Sequence, residues 1–126
     1  MEIEKLITRV IQCIYNVRGQ LPSGFLENVY KNALYIELKK NGLPVETEVP
    51  IKVYYDNIVV GEYRADMIVD RQLIIELKAI HALASIHEIQ LVNYLTALHI
   101  DNGILVNFGG EELEVKRKYR VYKKTF

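Results

Sequence analysis

Charged side chains stand inside apolar segments of this chain. The run Leu73–Ala79 (LIIELKA) is typical of a short buried β-strand, yet it contains Glu76 and Lys78. Residues two apart in a strand share a face, so these two side chains are neighbours. Asp66 stands in the preceding apolar run, Tyr63–Val69. Because burying an isolated charge costs several kcal/mol, each of these groups must be paired, bound to a metal or engaged in chemistry.

Two interpretations of these residues remain open at this point. An Asp on one strand and a Glu on the next supply the oxygen ligands that divalent cations prefer, with Lys78 as a positive charge beside them. Alternatively, Glu76 and Lys78 form a structural ion pair, since short Glu-x-Lys matches are frequent by chance. Asp66 also has a structural interpretation, as a strand-end residue leading into a turn and assisted by Arg64.

A further carboxylate lies at the start of a predicted helix, in the segment GFLENVY. With Gly24 as the N-cap, Glu27 takes the N3 position, where a carboxylate interacts favourably with the helix dipole and can close a capping interaction. Tyr30 follows one turn later and fits the core. Neither residue stands out by itself.

A later predicted helix carries Gln90 and Tyr94 four residues apart on one face, with His87 one turn before Gln90. This face differs from the leucine stripe of the same helix. Such a polar face is usually solvated, and it becomes functionally interesting if it points toward Glu76. The histidines lack zinc-ligand spacing, and the single cysteine, Cys13, is interpreted as helix core.

Apolar periodicity predicts eight elements in the order α-α-β-β-β-α-β-β. The helices are predicted over residues 2–18, 24–40 and 83–99, and the strands over 45–53, 58–69, 73–79, 104–108 and 113–121. Strict alternation from Val45 to Val53 predicts one apolar face, and Pro50 within it predicts an edge strand or a bulge. Asn102-Gly103 is predicted to end the last helix. This order predicts a single α/β domain over residues 1–126, with a mixed β-sheet flanked by helices.

Composition narrows the class of protein. Half of the 126 residues are hydrophobic, enough for a core, and one cysteine excludes an internal disulfide and fits a reducing cytoplasm. The N-terminal segment, with Glu2 and Glu4, does not resemble a signal peptide, and no apolar run approaches the ~20 residues of a membrane span. We therefore expect a cytoplasmic protein without membrane contact.

Charge is balanced overall but unevenly distributed. Residues 116–124 hold six of the 16 basic residues, which leaves ten basic against 16 acidic residues elsewhere, a net charge of −6. The composition is thus not that of a generally basic nucleic-acid binder, and any phosphate contact must be local. The basic segment, including Lys123 and Lys124, either contributes such contacts or is a solvated edge strand whose lysines prevent edge-to-edge pairing.

Taken together, these residues resemble the GxxExxY family, a bacterial branch of the PD-(D/E)XK nuclease superfamily. The resemblance covers about residues 20–110 and rests on five segments in order: Gly24, Glu27 and Tyr30; Tyr63–Asp66; Ile75–Ala79; Ile86–Leu95, which is similar to the Q-x-x-x-Y helix of RecB-like nucleases; and Ile104–Phe108. One departure is that no proline precedes Asp66.

The resemblance implies a restriction-endonuclease-like fold and a metal site. By analogy, Glu27, Asp66 and Glu76 would bind Mg²⁺ or Mn²⁺, with the Leu77 backbone carbonyl as a further ligand. The metal would polarise the scissile phosphate and lower the pKa of bound water.

The resemblance also implies roles for three neighbouring residues. Lys78 would position the attacking hydroxide and offset transition-state charge, and Gln90 and Tyr94 would orient Lys78 or the phosphate backbone. We therefore predict a metal-dependent nuclease that acts on DNA in preference to RNA. The alternative is a non-catalytic nuclease-fold module that binds nucleic acid or a protein partner, and association with a second copy of the chain stays open.

Overall fold

The computed structural model describes residues 1–120, and its elements follow the predicted order. The helices and strands are α1 (Ile3–Gln20), α2 (Glu27–Lys40), β1 (Val45–Tyr55), β2 (Ile58–Val69), β3 (Leu73–Lys78), α3 (Ser85–Leu98), β4 (Asn102–Asn107) and β5 (Glu114–Tyr119). A mixed five-stranded sheet flanked by helices results, which confirms the predicted fold class.

The sheet has the strand order β1-β2-β3-β4-β5. Neighbouring strands are antiparallel except β3 and β4, which are parallel and connected through α3. β1 is an edge strand, which confirms the expectation from Pro50, because proline cannot donate a hydrogen bond to a second neighbour.

Helices cover both faces of the sheet. α1 and α2 pack on one face, over β3 residues Leu73, Ile75 and Leu77. α3 packs on the opposite face, where Ile74 lies under Leu91. Side chains alternate along a strand, so Glu76 and Lys78 belong to the α3 face with Ile74.

The apolar residues of β1 do not share one face, so that prediction was wrong. Val45 packs against the core under α1 and α2, whereas Val49 and Ile51 belong to the core under α3. The change occurs around Glu48, which has a left-handed backbone (φ 50°) and no partner in the β1–β2 ladder. β2 shows the same change at Asp66: Ala65 packs in the core under α3, whereas Met67 packs in the core under α1 and α2.

Two predicted helix ends also differ. α2 begins at Glu27 with extended Leu26 as its N-cap, so Gly24 is not the cap and Glu27 is the first helical residue rather than N3. Gly24 instead occupies a turn at φ 118°. α3 ends at Leu98, with His99 in the left-handed conformation, and Asn102 already belongs to β4. Gly103 permits close packing of α3 on β4, since a Cβ there would lie 3.1 Å from Leu91.

Within residues 1–120, the structure contains no helix that combines the length and apolar character needed to cross a membrane. The final strand ends at Tyr119 rather than residue 121, and Lys123 and Lys124 lie outside the described residues. Cys13 is buried in α1, in agreement with its interpretation as core.

Candidate active site

The candidate site lies where the backbone pairing of β2 and β3 stops. The last paired residues are Met67 and Ile75, and Asp66 and Glu76 come next on their strands. Here side-chain oxygens accept the backbone hydrogen bonds: the Asp66 N–H donates to Glu76 Oε1 at 2.9 Å, and the Leu77 N–H donates to Asp66 Oδ2 at 2.8 Å. Each carboxylate is therefore fixed by the partner strand's backbone.

Both carboxylates are buried, with Asp66 9% and Glu76 5% exposed. Burial, followed by the negative charge of Asp66, raises the pKa of Glu76 to about 9, although the Asp66 amide and the charge of Lys78 oppose this. A buried carboxyl beside a second carboxylate is a common feature of catalytic and metal sites, because a bound cation removes the repulsion. The location of Asp66 inside β2, not at a strand end, argues against its structural interpretation.

Lys31 on α2 is part of this cluster, although it was not among the predicted site residues. Its Nζ lies 2.8 Å from Asp66 Oδ1, 3.3 Å from Glu27 Oε2 and 3.4 Å from Glu48 Oε1. Burial lowers the pKa of the Lys31 ammonium, but its hydrogen bond with Asp66 and the surrounding negative charges raise it above the usual range overall. The available sequence signal was the four-residue spacing from Glu27, which places both on one helix face.

Glu27 reaches this cluster from α2, on the face opposite α3, and it is linked to Asp66 through Lys31. Within residues 1–120, no group of three or more His, Cys, Asp or Glu side chains is arranged to hold a metal ion. Asp66 and Glu76 are in direct contact, and their oxygens suit a hard cation such as Mg²⁺. The predicted three-carboxylate metal site stays a prediction.

Lys78 lies beside Glu76 on the α3 face, and its charge acts to lower the pKa of that carboxyl. Its side chain is half-buried and forms no salt bridge or hydrogen bond with residues 1–120. Its carbonyl accepts a hydrogen bond from the Phe108 N–H at 2.9 Å, which anchors the backbone. The site therefore contains two ammonium groups, one bound to carboxylates and one available.

The polar face of α3 was expected to be functionally interesting if it pointed toward Glu76. Tyr94 on this face does lie near Glu76. Burial, then the charges of Glu76, Tyr63 and Asp66, raises the pKa of Tyr94 to about 12. Gln90, one turn earlier, lines the same groove as Tyr94. His87 instead caps α3, since its Nδ1 accepts a hydrogen bond from the Ala84 N–H at 2.9 Å.

The described part of the basic segment is largely neutralised. Lys116 and Lys118 on β5 both contact Glu88 of α3, at 3.1 and 2.9 Å. Arg117 donates two hydrogen bonds to Glu4. These contacts favour the interpretation of this part as a structural edge strand.

The contacts of Asp66 predict how its variants affect stability. Asp66→Ala leaves the buried Leu77 N–H without an acceptor, which should lower the free energy of unfolding by about 1–3 kcal/mol. Asp66→Asn retains an acceptor for the Leu77 N–H, so it should cost less. Urea denaturation in EDTA measures both, with exposed Glu62→Ala as the control. Equal losses for the Ala and Asn variants would contradict this assignment of the Asp66 contacts.

Comparison with known proteins identifies the superfamily of this chain. The sequence pattern of the PD-(D/E)XK nuclease superfamily matches residues 4–118, and the chain belongs to this superfamily. The crystal structure of SSO0001 has a similar fold, with a TM-score of 0.63 and 24% sequence identity over 76% of this chain and 50% of that chain. The chain thus spans about half the length of SSO0001, and the likeness concerns the fold. No curated protein has a detectably similar sequence.

Membership in the superfamily has consequences for function. PD-(D/E)XK domains are characteristic of nucleases, which bind nucleic acid and generally use divalent metals.

Proposed function

We propose that this protein is a nuclease of the GxxExxY type that hydrolyses phosphodiester bonds of DNA with Mg²⁺ or Mn²⁺. The observation that carries the proposal is the buried Asp66–Glu76 pair beside the available Lys78 ammonium. A structural ion pair would bring Lys78 into contact with Glu76, whereas the structure records no such contact within the described residues. The GxxExxY assignment rests on Gly24, Glu27 and Tyr30.

The residues that would hold the metal are Asp66, Glu76, the Leu77 carbonyl and Glu27. When bound, the ion would polarise the scissile phosphate and acidify a water molecule. The backbone hydrogen bonds of Asp66 and Glu76 hold their oxygens in place before the substrate arrives, which reduces the cost of reorganisation.

Lys78, Gln90 and Tyr94 would act on the substrate rather than on the metal. The Lys78 ammonium has only donors, so it is suited to orient a nucleophile and to offset negative charge on the phosphate in the transition state. Gln90 and Tyr94 present an amide and a hydroxyl along a groove beside α3, and Tyr94 lies near Glu76. They would orient Lys78 or the phosphate backbone.

A second candidate is a nuclease-fold module that binds nucleic acid or a protein partner without cleavage. It is favoured by Lys31, whose ammonium already neutralises carboxylates of the site. Under this alternative, Asp66 and Lys31 form a permanent structural pair and divalent cations have no site.

Metal-dependent thermal stability tests the proposal. Binding to the folded state alone stabilises it by about 2.7 kcal/mol at 100 times Kd, so millimolar Mg²⁺ or Mn²⁺ should raise the melting temperature by several degrees. Glu76→Gln should lose this increase, and Glu62→Gln, on the exposed part of β2, should retain it.

Cleavage assays on single- and double-stranded DNA and RNA complete this test. Hydrolysis that requires the metal, with DNA as the better substrate, is the expected result. An unchanged melting temperature with both ions would contradict the metal site. A metal-induced increase in melting temperature without cleavage of any substrate would favour the binding module.

A further inference from the structure

A groove opens between the β1–β2 hairpin and α3, with a volume of about 570 Å³. Tyr54 and Tyr63 line the hairpin side and are 60% and 49% exposed. Ile86 and Ile89 of α3 form the opposite wall and are also largely exposed. Exposed apolar and aromatic patches of this kind mark binding surfaces.

The polar residues of this groove are suited to an anionic occupant. Besides the tyrosines and Thr96, they are Lys52, His99 and the amides of Gln90 and Asn93, and the groove has no carboxylate lining among residues 1–120. This absence is informative because residues outside 116–124 carry a net charge of −6. The groove thus combines aromatic surfaces with a cation and amide donors.

Tyr94 links the groove to the candidate site, since it lines the groove and lies near Glu76. The Tyr63 ring lies 5.7 Å from the Tyr94 ring, centroid to centroid. Tyr94 in turn lies close enough to Glu76 and Asp66 for their charges to act on its hydroxyl. The ring pair of Tyr63 and Tyr94 therefore lies between the solvent-exposed hairpin and the buried carboxylates.

We infer that the groove binds a single nucleic-acid strand, with unstacked bases on Tyr54 and Tyr63 and the phosphodiester directed toward Asp66 and Glu76. Aromatic side chains stack on any exposed base, independently of sequence. The bases of an intact duplex are stacked on each other and cannot use these rings. The inference rests on the proposed function and specifies its substrate as single-stranded.

The lack of native tryptophan allows a direct test. Tyr54→Trp and Tyr63→Trp each introduce a single reporter whose fluorescence is quenched when a base stacks on it. Oligothymidylate, oligouridylate and a blunt DNA duplex are titrated in EDTA, so that binding is measured without cleavage. Saturable quenching by the single strands at both positions, and little by the duplex, is expected. Tyr15→Trp, exposed on α1 over the opposite face, is the matched control and should stay unquenched.

Alanine variants provide a second, label-independent measurement. Loss of one stacked base corresponds to about a 5- to 150-fold weaker affinity, so Tyr54→Ala and Tyr63→Ala should each raise the Kd for oligothymidylate within that range. Tyr15→Ala should leave it unchanged. Comparison of the thymidylate and uridylate arms shows whether DNA or RNA is preferred.

The outcomes distinguish this inference from the proposed function. Absence of quenching by any single strand, or equal quenching by the duplex, overturns the single-strand groove, even if wild type cleaves duplex DNA with metal. Quenching by single strands without metal-dependent cleavage would contradict the nuclease activity, but it would still support the binding of a single strand in the groove. A fluorescence change that depends on protein concentration without nucleic acid would instead identify a second copy of the chain as the occupant, and it would overturn the inference.

Discussion

Replacement of Lys78 by alanine should reduce cleavage by about 10²–10³-fold while leaving metal binding nearly unchanged. The effect should appear mainly in kcat, because the ammonium interacts with charge that develops in the transition state. Cleavage rates at saturating substrate measure the loss, and calorimetric titration with Mn²⁺ measures the metal affinity.

The structure gives this expectation a physical basis. Lys78 is the lysine beside Glu76 that forms no salt bridge with residues 1–120, whereas Lys31 is held by Asp66. A protonated lysine has no acceptor and is not a metal ligand, so removal of Lys78 should leave metal binding in place. Removal of its charge should also raise the pKa of Glu76 further, which modestly weakens metal binding near neutral pH.

Two controls keep the result specific to the site. Lys39→Ala changes an exposed lysine on α2 and should cleave at the wild-type rate. Circular dichroism and urea denaturation establish that Lys78→Ala is folded. Wild-type activity in a folded Lys78→Ala protein would exclude Lys78 from catalysis and would place the active site elsewhere.

Much of the fold could be predicted from local pattern. The period of the apolar residues identified the helices and strands in order, because each element buries one face or stripe. The same alternation placed Glu76 and Lys78 on one strand face, and the four-residue spacing placed Gln90 with Tyr94. These features depend only on neighbours in the chain.

The features that were missed depend on residues distant in sequence. Lys31 is 35 positions from Asp66, and only the packing of α2 against the sheet brings them within 2.8 Å. The exchange of cores along β1 depends on Glu48, whose left-handed backbone is unusual for glutamate and leaves no signal in an alternating apolar pattern. Gly24 was a plausible cap by type, but Tyr30 organises that loop by donating to the Pro22 carbonyl and accepting from the Phe25 N–H.

Glu76→Gln should remove a pH dependence of stability that the metal-free wild type possesses. Burial and the charge of Asp66 raise the pKa of Glu76 from 4.5 to about 9 in the folded protein. Between these two values the unfolded chain has released this proton and the folded protein retains it. The free energy of unfolding should therefore fall as pH rises, by at most about 1.4 kcal/mol per pH unit for one proton.

Urea denaturation in EDTA, from about pH 5 to about pH 9, measures this slope. Glutamine can still accept the Asp66 N–H through its amide oxygen, so the backbone hydrogen bond is retained while the titration is lost. The variant should show a flatter profile than wild type, and Glu62→Gln, at an exposed position of β2, should keep the wild-type slope. Parallel profiles for wild type and Glu76→Gln would show that Glu76 does not carry the raised pKa. With Mn²⁺ present, the stability that the metal adds to wild type should grow as pH rises, because deprotonation of Glu76 permits binding, and Glu76→Gln should show neither this added stability nor cleavage.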